Sequence, residues 1–222
     1  MRIGLAVVAL LALAAAAPAK DWRTNAVIAP SGAFVVGNPA ARVTLVEYLS
    51  FTCPHCGHFL IESTPKLYDA YVRGGSVRVE TRSAARDPYD LAAWVVARCA
   101  GPRRFHALAT AIFKGQEGWM TKGQAYAQAN LDALKAKPQM EQLRILTRES
   151  GLAGIAATQG LTQPALDRCL ASEAQLKPIL AMTEAAFAKI SGTPGFEVNG
   201  TLAADTYDWA TLEPKLRAAG AR

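Results

Sequence analysis

The chain has 222 residues, a formal net charge of +6 and four cysteines. That length can bury a real core, as one domain or as one domain with an insertion. The positive balance does not point to nucleic acid, because Arg78, Arg82, Arg86, Arg98, Arg103 and Arg104 are scattered and no Lys/Arg block exceeds a pair. A solvated, mildly basic surface accounts for it. No internal repeat or low-complexity segment is visible.

Residues 1–19 carry one cation, Arg2, then an apolar run from Ile3 to Ala17, then Ala17-Pro18-Ala19, which fits an A-x-A cleavage site. The run is short for a membrane span and polar Lys20-Asp21-Trp22-Arg23 follows it directly. A secretory signal peptide cleaved after Ala19 is expected, with an uncleaved membrane anchor as the alternative. Export would place the chain where disulfides form and persist.

Residues 20–38 read as turns around one apolar piece, Ala33-Phe34-Val35-Val36, expected to be an edge strand between Gly32 and Gly37-Asn38-Pro39. Val43-Thr44-Leu45-Val46-Glu47-Tyr48-Leu49 reads as a buried strand. After it comes Phe51-Thr52-Cys53-Pro54-His55-Cys56-Gly57-His58, and then Phe59, Leu60, Leu67, Tyr68, Tyr71 and Val72 at helical spacing. The motif therefore sits where a strand feeds a helix. Cys53 falls at the helix N-cap and Pro54 at the first helical position, where a missing N–H costs nothing. Unpaired amides and the positive end of the helix dipole favour an anion there, and the anion on offer is the Cys53 thiolate. His55, when protonated, would add to that effect. Two cysteines separated by two residues can close a small disulfide ring, with Cys53 the exposed sulfur and Cys56 the resolving one. Zinc is the competing use of such a pair, but it needs four ligands and no second Cys-x-x-Cys exists. Pro65 is expected to kink or interrupt the helix, and residues 76–81 to alternate as a half-buried strand after Gly74-Gly75.

Strand, Ser50-Phe51-Thr52, Cys-Pro-His-Cys and helix together resemble the DsbA family of thiol:disulfide oxidoreductases, thioredoxin-fold proteins of the bacterial periplasm. The resemblance implies an α/β chain, a thioredoxin-like fold interrupted by an all-α helical insertion domain, and an unusually acidic first cysteine. It also implies an acidic proton-transfer partner for Cys56 at Glu47, whose presence in an otherwise apolar strand is informative in itself. A strand-end Glu reaching solvent is the plainer alternative.

From Asp87 the strand signals stop and helical ones follow over 91–99, 105–113, 123–135, 140–150, 152–158 and 163–187, the last expected to be two helices meeting near Lys177-Pro178. Phe113-Lys114-Gly115-Gln116-Glu117-Gly118-Trp119 and Leu161-Thr162-Gln163 also resemble that family's helical domain. Ser191-Gly192-Thr193-Pro194-Gly195-Phe196-Glu197-Val198-Asn199-Gly200 then gives a turn, a strand and a hairpin signal, and residues 207–219 a closing helix. The expected division is 1–19 signal peptide, 20–86 with 191–222 thioredoxin-like, and 87–190 helical insertion. By resemblance, Thr193-Pro194 is a cis-proline loop lying against the cysteines and offering backbone to an extended peptide substrate; an ordinary trans turn is the alternative. Cys99 and Cys169 complete an even count and are expected to form a structural disulfide, two separate buried thiols being the alternative.

His58 and His106 are expected to be surface or structural, and Trp94, Trp119 and Trp209 core. No metal or organic cofactor is implied. The expected function is a monomeric periplasmic dithiol oxidase that donates its Cys53–Cys56 disulfide to unfolded or reduced exported proteins, with no nucleic-acid partner. The resemblance implies re-oxidation by a quinone-linked membrane oxidase resembling DsbB. Two alternatives stay open. One is an isomerase or reductase kept reduced by another partner, which the threonine before Pro194 favours and the short leader, with no room for a dimerisation domain, disfavours. The other is a non-catalytic chaperone-like module.

Overall fold

The computed structural model describes residues 20–222, so the expected signal peptide lies outside the described residues. Six strands form one mixed sheet in the order β1-β2-β4-β3-β5-β6. They are β1 (Ala26–Ile28), β2 (Phe34–Gly37), β3 (Val43–Leu49), β4 (Val77–Ser83), β5 (Gly195–Val198) and β6 (Thr201–Leu202). β3 and β4 are parallel, joined through helix α1 (Pro54–Lys66), while the other pairs are antiparallel.

β2 is not an edge strand. It pairs with β4 on one side and with β1 on the other, and β1 takes the edge. The three residues Ala26-Val27-Ile28 are half-buried to exposed and show no alternation, so nothing in them announces a strand. β4 is buried along nearly its whole length, including Glu80, Thr81 and Ser83, and not half-buried as its alternation suggests. Both the π-helical turn after α1 and α9 pack against it, as expected of a strand in the middle of a sheet covered by helices.

Pro65 does mark a change of helix type. α1 ends at Lys66 and a π-helical turn, Leu67–Val72, carries the chain on, with Leu67, Tyr68, Tyr71 and Val72 buried. A proline removes one backbone donor, and a widened turn is one way to accommodate the gap. Between β4 and β5 run eight helices: α2 (Pro88–Cys99), α3 (Pro102–Lys114), α4 (Gln116–Ala129), α5 (Leu131–Lys135), α6 (Gln139–Glu149), α7 (Leu152–Thr158), α8 (Gln163–Leu170) and α9 (Leu176–Phe187). The break between α8 and α9 falls at residues 171–175. Pro178 lies within the first turn of α9, where its missing N–H is one of the unpaired amides anyway. α2 is the axis of this region, with every residue from Ala92 to Ala97 fully buried and contacts to α3, α6, α7, α8 and α9. A helix apolar on all sides must be wrapped on all sides. Cys99 and Cys169 are bonded, joining α2 to α8.

The chain closes with a β5–β6 hairpin and α10 (Trp209–Ala218). Asn199 and Gly200, at φ of 50° and 82°, supply the two left-handed positions that a tight hairpin of this hand requires. One hydrophobic cluster runs from Leu45, Leu49 and Phe59 through Trp94 and Leu108 to Leu146 and Leu166, so sheet, α1 and helices share a core. A smaller one, with Val46, Tyr48, Ala84, Ala186 and Ile190, fills the other face of the sheet. Side chains alternate along a strand, so Glu47 shares its face with Leu45 and Leu49 and points to the side that carries α1.

Candidate active site

β3 delivers the chain to a tight turn. Cys53 N–H donates to the Ser50 carbonyl at 3.1 Å, and Cys53 itself is extended (φ −91°, ψ 117°) as the N-cap of α1, with Pro54 next. Pro54 and His55 in the first turn and His58 just beyond it are exposed, and Cys56, also in the first turn, is buried. Cys53 is not the exposed sulfur that its position suggests: only 2% of the residue is accessible. The covering group is the loop at Thr193-Pro194, whose peptide bond is cis. The Thr193 carbonyl lies 3.2 Å from Cys53 Sγ and accepts from it when it is a thiol.

Cys53 and Cys56 are both free thiols here, and their environments drive them apart. Cys53 is lowered to about 4. The largest cause is the Cys56 thiol, which donates to it; burial opposes, and the Thr193 hydroxyl, the Cys56 amide and the charge of Arg86 add to the lowering. Cys56 goes the other way, raised well above the ordinary thiol value, first by burial and then by the neighbouring Cys53. One sulfur is thus an anion at neutral pH while the other keeps its proton. Arg86, at the end of the β4–α2 connection, is a cation acting on Cys53; His55, to which the sequence pointed for that part, is exposed in the first turn of α1.

Glu47 is fully buried and does not reach solvent. Its Oε2 accepts from the Tyr68 and Thr81 hydroxyls, each at 3.3 Å, and its Oε1 has no partner among the described residues. Burial pushes its carboxyl up to about 7 against those two donors. A group so poised can hold or release a proton near neutrality. His106 stacks on the Tyr68 ring at 3.6 Å behind it.

Several residues around the pair escaped the sequence reading. Asp90, fully buried in the first turn of α2, accepts from the Phe51 N–H (2.7 Å), the Ser50 hydroxyl (2.5 Å) and the Arg86 N–H (3.0 Å). Burial pushes it, too, up to about 7. Asp87 caps α2 and accepts from the Thr52 hydroxyl at 2.7 Å. Gln116, the first residue of α4, donates its side-chain amide to the carbonyls of Phe51 (2.7 Å) and Cys53 (3.0 Å). Gly57 permits that approach, since a Cβ there would stand 3.3 Å from Gln116 Oε1. A signal for Asp90 did exist: it shares a helix face with Ala93, Trp94 and Ala97, where a carboxylate is out of place. Cys99 and Cys169 stand apart from this cluster, tied to each other. Among the described residues, no group of three or more His, Cys, Asp and Glu is arranged to hold a metal ion.

The sequence and the fold have known relatives. The model of a family described as Thioredoxin matches residues 31–217. A solved protein-disulfide isomerase from Novosphingobium aromaticivorans is 36% identical, with a TM-score of 0.75 over 83% of this chain and 95% of that one. Wolbachia pipientis alpha-DsbA1, at 22% identity, has a TM-score of 0.63 over 87% of this chain and 92% of its own, a likeness of fold. A curated protein of Rickettsia bellii named "Putative protein-disulfide oxidoreductase" is 28% identical over 169 residues, which are 75% of this chain and 56% of that protein. The chain spans about half the length of the curated relatives it matches.

Proposed function

The chain belongs to the thioredoxin family, and from that premise we propose that it is a DsbA-like protein-disulfide oxidoreductase acting as a dithiol oxidase on exported proteins. The observation that carries this reading is the opposed pair of thiols, Cys53 at about 4 and Cys56 well above its ordinary value. In the oxidised protein a substrate thiolate attacks Cys53 Sγ. The Cys53–Cys56 bond breaks, and Cys56 leaves with the electron pair and takes a proton, for which Glu47 is the candidate donor. The substrate's second thiolate then attacks the substrate sulfur of the mixed disulfide, and Cys53 departs as a stabilised thiolate. Two electrons pass from the substrate dithiol to the Cys53–Cys56 pair. A stable thiolate both leaves well and favours the reduced form, which makes the disulfide an oxidant. The Thr193-Pro194 loop, already against Cys53, is the natural seat for an extended substrate segment.

The remaining parts of the reading are a monomer, a periplasmic location reached by a signal peptide cleaved after Ala19, and re-oxidation by a DsbB-like quinone-linked membrane oxidase. A second reading, isomerase or reductase, is favoured by the name of the Novosphingobium relative and by the threonine before Pro194. Equilibration with glutathione separates the two. A Cys53–Cys56 potential near about −120 mV is expected of the oxidase, and a value below about −230 mV would overturn it in favour of a reducing role.

A further inference from the structure

The turn that presents Cys53 is gripped from the helical region on both sides of a single residue. Asp90 of α2 takes the Phe51 N–H at 2.7 Å, and Gln116 of α4 gives its amide to the Phe51 carbonyl at 2.7 Å. The Phe51 ring is held as well, against Trp94 and Phe113 at centroid distances of 5.0 and 4.8 Å. Asp90 also takes the Ser50 hydroxyl, and Arg86 Nε donates to that same hydroxyl at 3.0 Å. Ser50 is the residue that matters next. Its N–H donates to Cys56 Sγ at 3.5 Å, and its carbonyl receives the Cys53 N–H at 3.1 Å. One residue thus touches the backbone of the first cysteine and the sulfur of the second. Its own position is set by a buried carboxylate forty residues away.

Burying a carboxylate is costly unless several donors compensate it. Asp90 has those donors, and every one of them lies in the approach to the cysteines or in the β4–α2 connection. We infer that Asp90 is a positioning residue of the redox centre. It fixes the Ser50-Phe51-Thr52 turn, with Gln116 closing the other side, so that the Ser50 amide stays on Cys56 and Cys56 stays on the Cys53 thiolate. The inference rests on the thiol exchange proposed above.

The test is Asp90→Asn in the mature chain, read by ultraviolet titration of the Cys53 thiolate and by the melting temperatures of the oxidised and reduced forms. The amide keeps the volume but can turn a donor toward the Arg86 N–H or the Ser50 hydroxyl, so the turn loosens. Asp90, raised to about 7, is a neutral acid where Cys53 titrates near 4, so the substitution changes hydrogen bonds and not charge there. Cys53 should therefore rise by about one pKa unit, a roughly tenfold loss of thiolate in the acid range. The gap in melting temperature between the two forms should narrow with it. If Asp90 acted only through its charge, Cys53 would stay where it is, because near pH 4 that carboxyl is already protonated. A lowered Cys53, or an unchanged Cys53 with both forms equally destabilised, overturns the inference. Should Asp90→Asn not fold, Ser50→Ala removes only the hydroxyl link and must move Cys53 upward by a smaller step; no movement overturns it. The wild-type potential tests the oxidase reading separately, since a reducing value there would leave the variant's shift fully readable.

Discussion

The two cysteine pairs occupy opposite poles of helices. Cys53 caps the N-terminus of α1, with Cys56 in its first turn. Cys99 is the last residue of α2, and Cys169 is the last but one of α8. A helix N-terminus stabilises an anion and a C-terminus disfavours one. At the first pair a thiolate is welcome, so a disulfide there has a good leaving group and opens readily. At the second, neither sulfur gains from ionising, and the bond between them has no ready exit. Spacing separates them too. The redox pair closes a ring of a few residues, whereas Cys99–Cys169 ties residues 70 apart. The same bond type is thus a reagent in one place and a brace in the other, and the local backbone decides which.

The sharpest way to break that division is to abolish each pair's bond in turn. Cys53→Ser should reduce disulfide transfer to a reduced model protein to the rate without protein while the chain still folds. Its urea midpoint at neutral pH should lie below that of the reduced wild type by the stabilisation the Cys53 thiolate supplied. Cys99→Ser with Cys169→Ser should act on the fold instead. Exchange persists, while the loop constraint lost from the unfolded chain lowers stability by up to roughly 4 kcal/mol on the chain-entropy account, read as a shift in urea midpoint. If the second variant lost exchange as completely as the first, the pairs would not be separate devices.

How much of this the sequence carries depends on distance along the chain. The β3–α1 junction, the cap at Cys53, Pro54 at the first helical position and the Asn199-Gly200 hairpin all rest on neighbours within a few residues, and local chemistry makes them legible. β1 was not legible, because three half-exposed residues become a strand only by pairing with β2. The break before α9 was misplaced by giving Pro178 its helix-interior meaning when it stands in a first turn. The site shows the same limit. Both cysteines and Glu47 stand out locally, as a Cys-x-x-Cys and as an acid in an apolar strand. Arg86, Asp90 and Gln116 meet the cysteine turn from 36 to 65 residues away, and Thr193 covers Cys53 from 140 residues away. Only the folded sheet and helices bring these groups together.

The redox region also holds a carboxyl that burial disfavours as an anion, and its pH signature gives the gentlest of the tests. Glu47 is raised from 4.5 to about 7 in the folded chain. A folded-state rise means that the stability it allows is fully present below about pH 4.5 and is lost as pH climbs through about 7, where a buried anion must be carried. Glu47→Gln cannot ionise, so the variant should gain on the wild type across that window and hold a constant advantage above it, at most roughly 3 kcal/mol. Below about pH 4.5 the two should differ by a fixed amount only. Asp90 is raised over the same range, but it is unchanged in the variant, so the difference curve isolates Glu47. Urea midpoints of the oxidised forms at several pH values measure this. A difference that does not vary with pH would mean that Glu47 titrates alike in folded and unfolded chains. Glu47 could not then be the proton donor for Cys56. If the pH dependence appears and disulfide transfer slows in the same variant, the carboxyl is kept for its proton in spite of what it costs the fold.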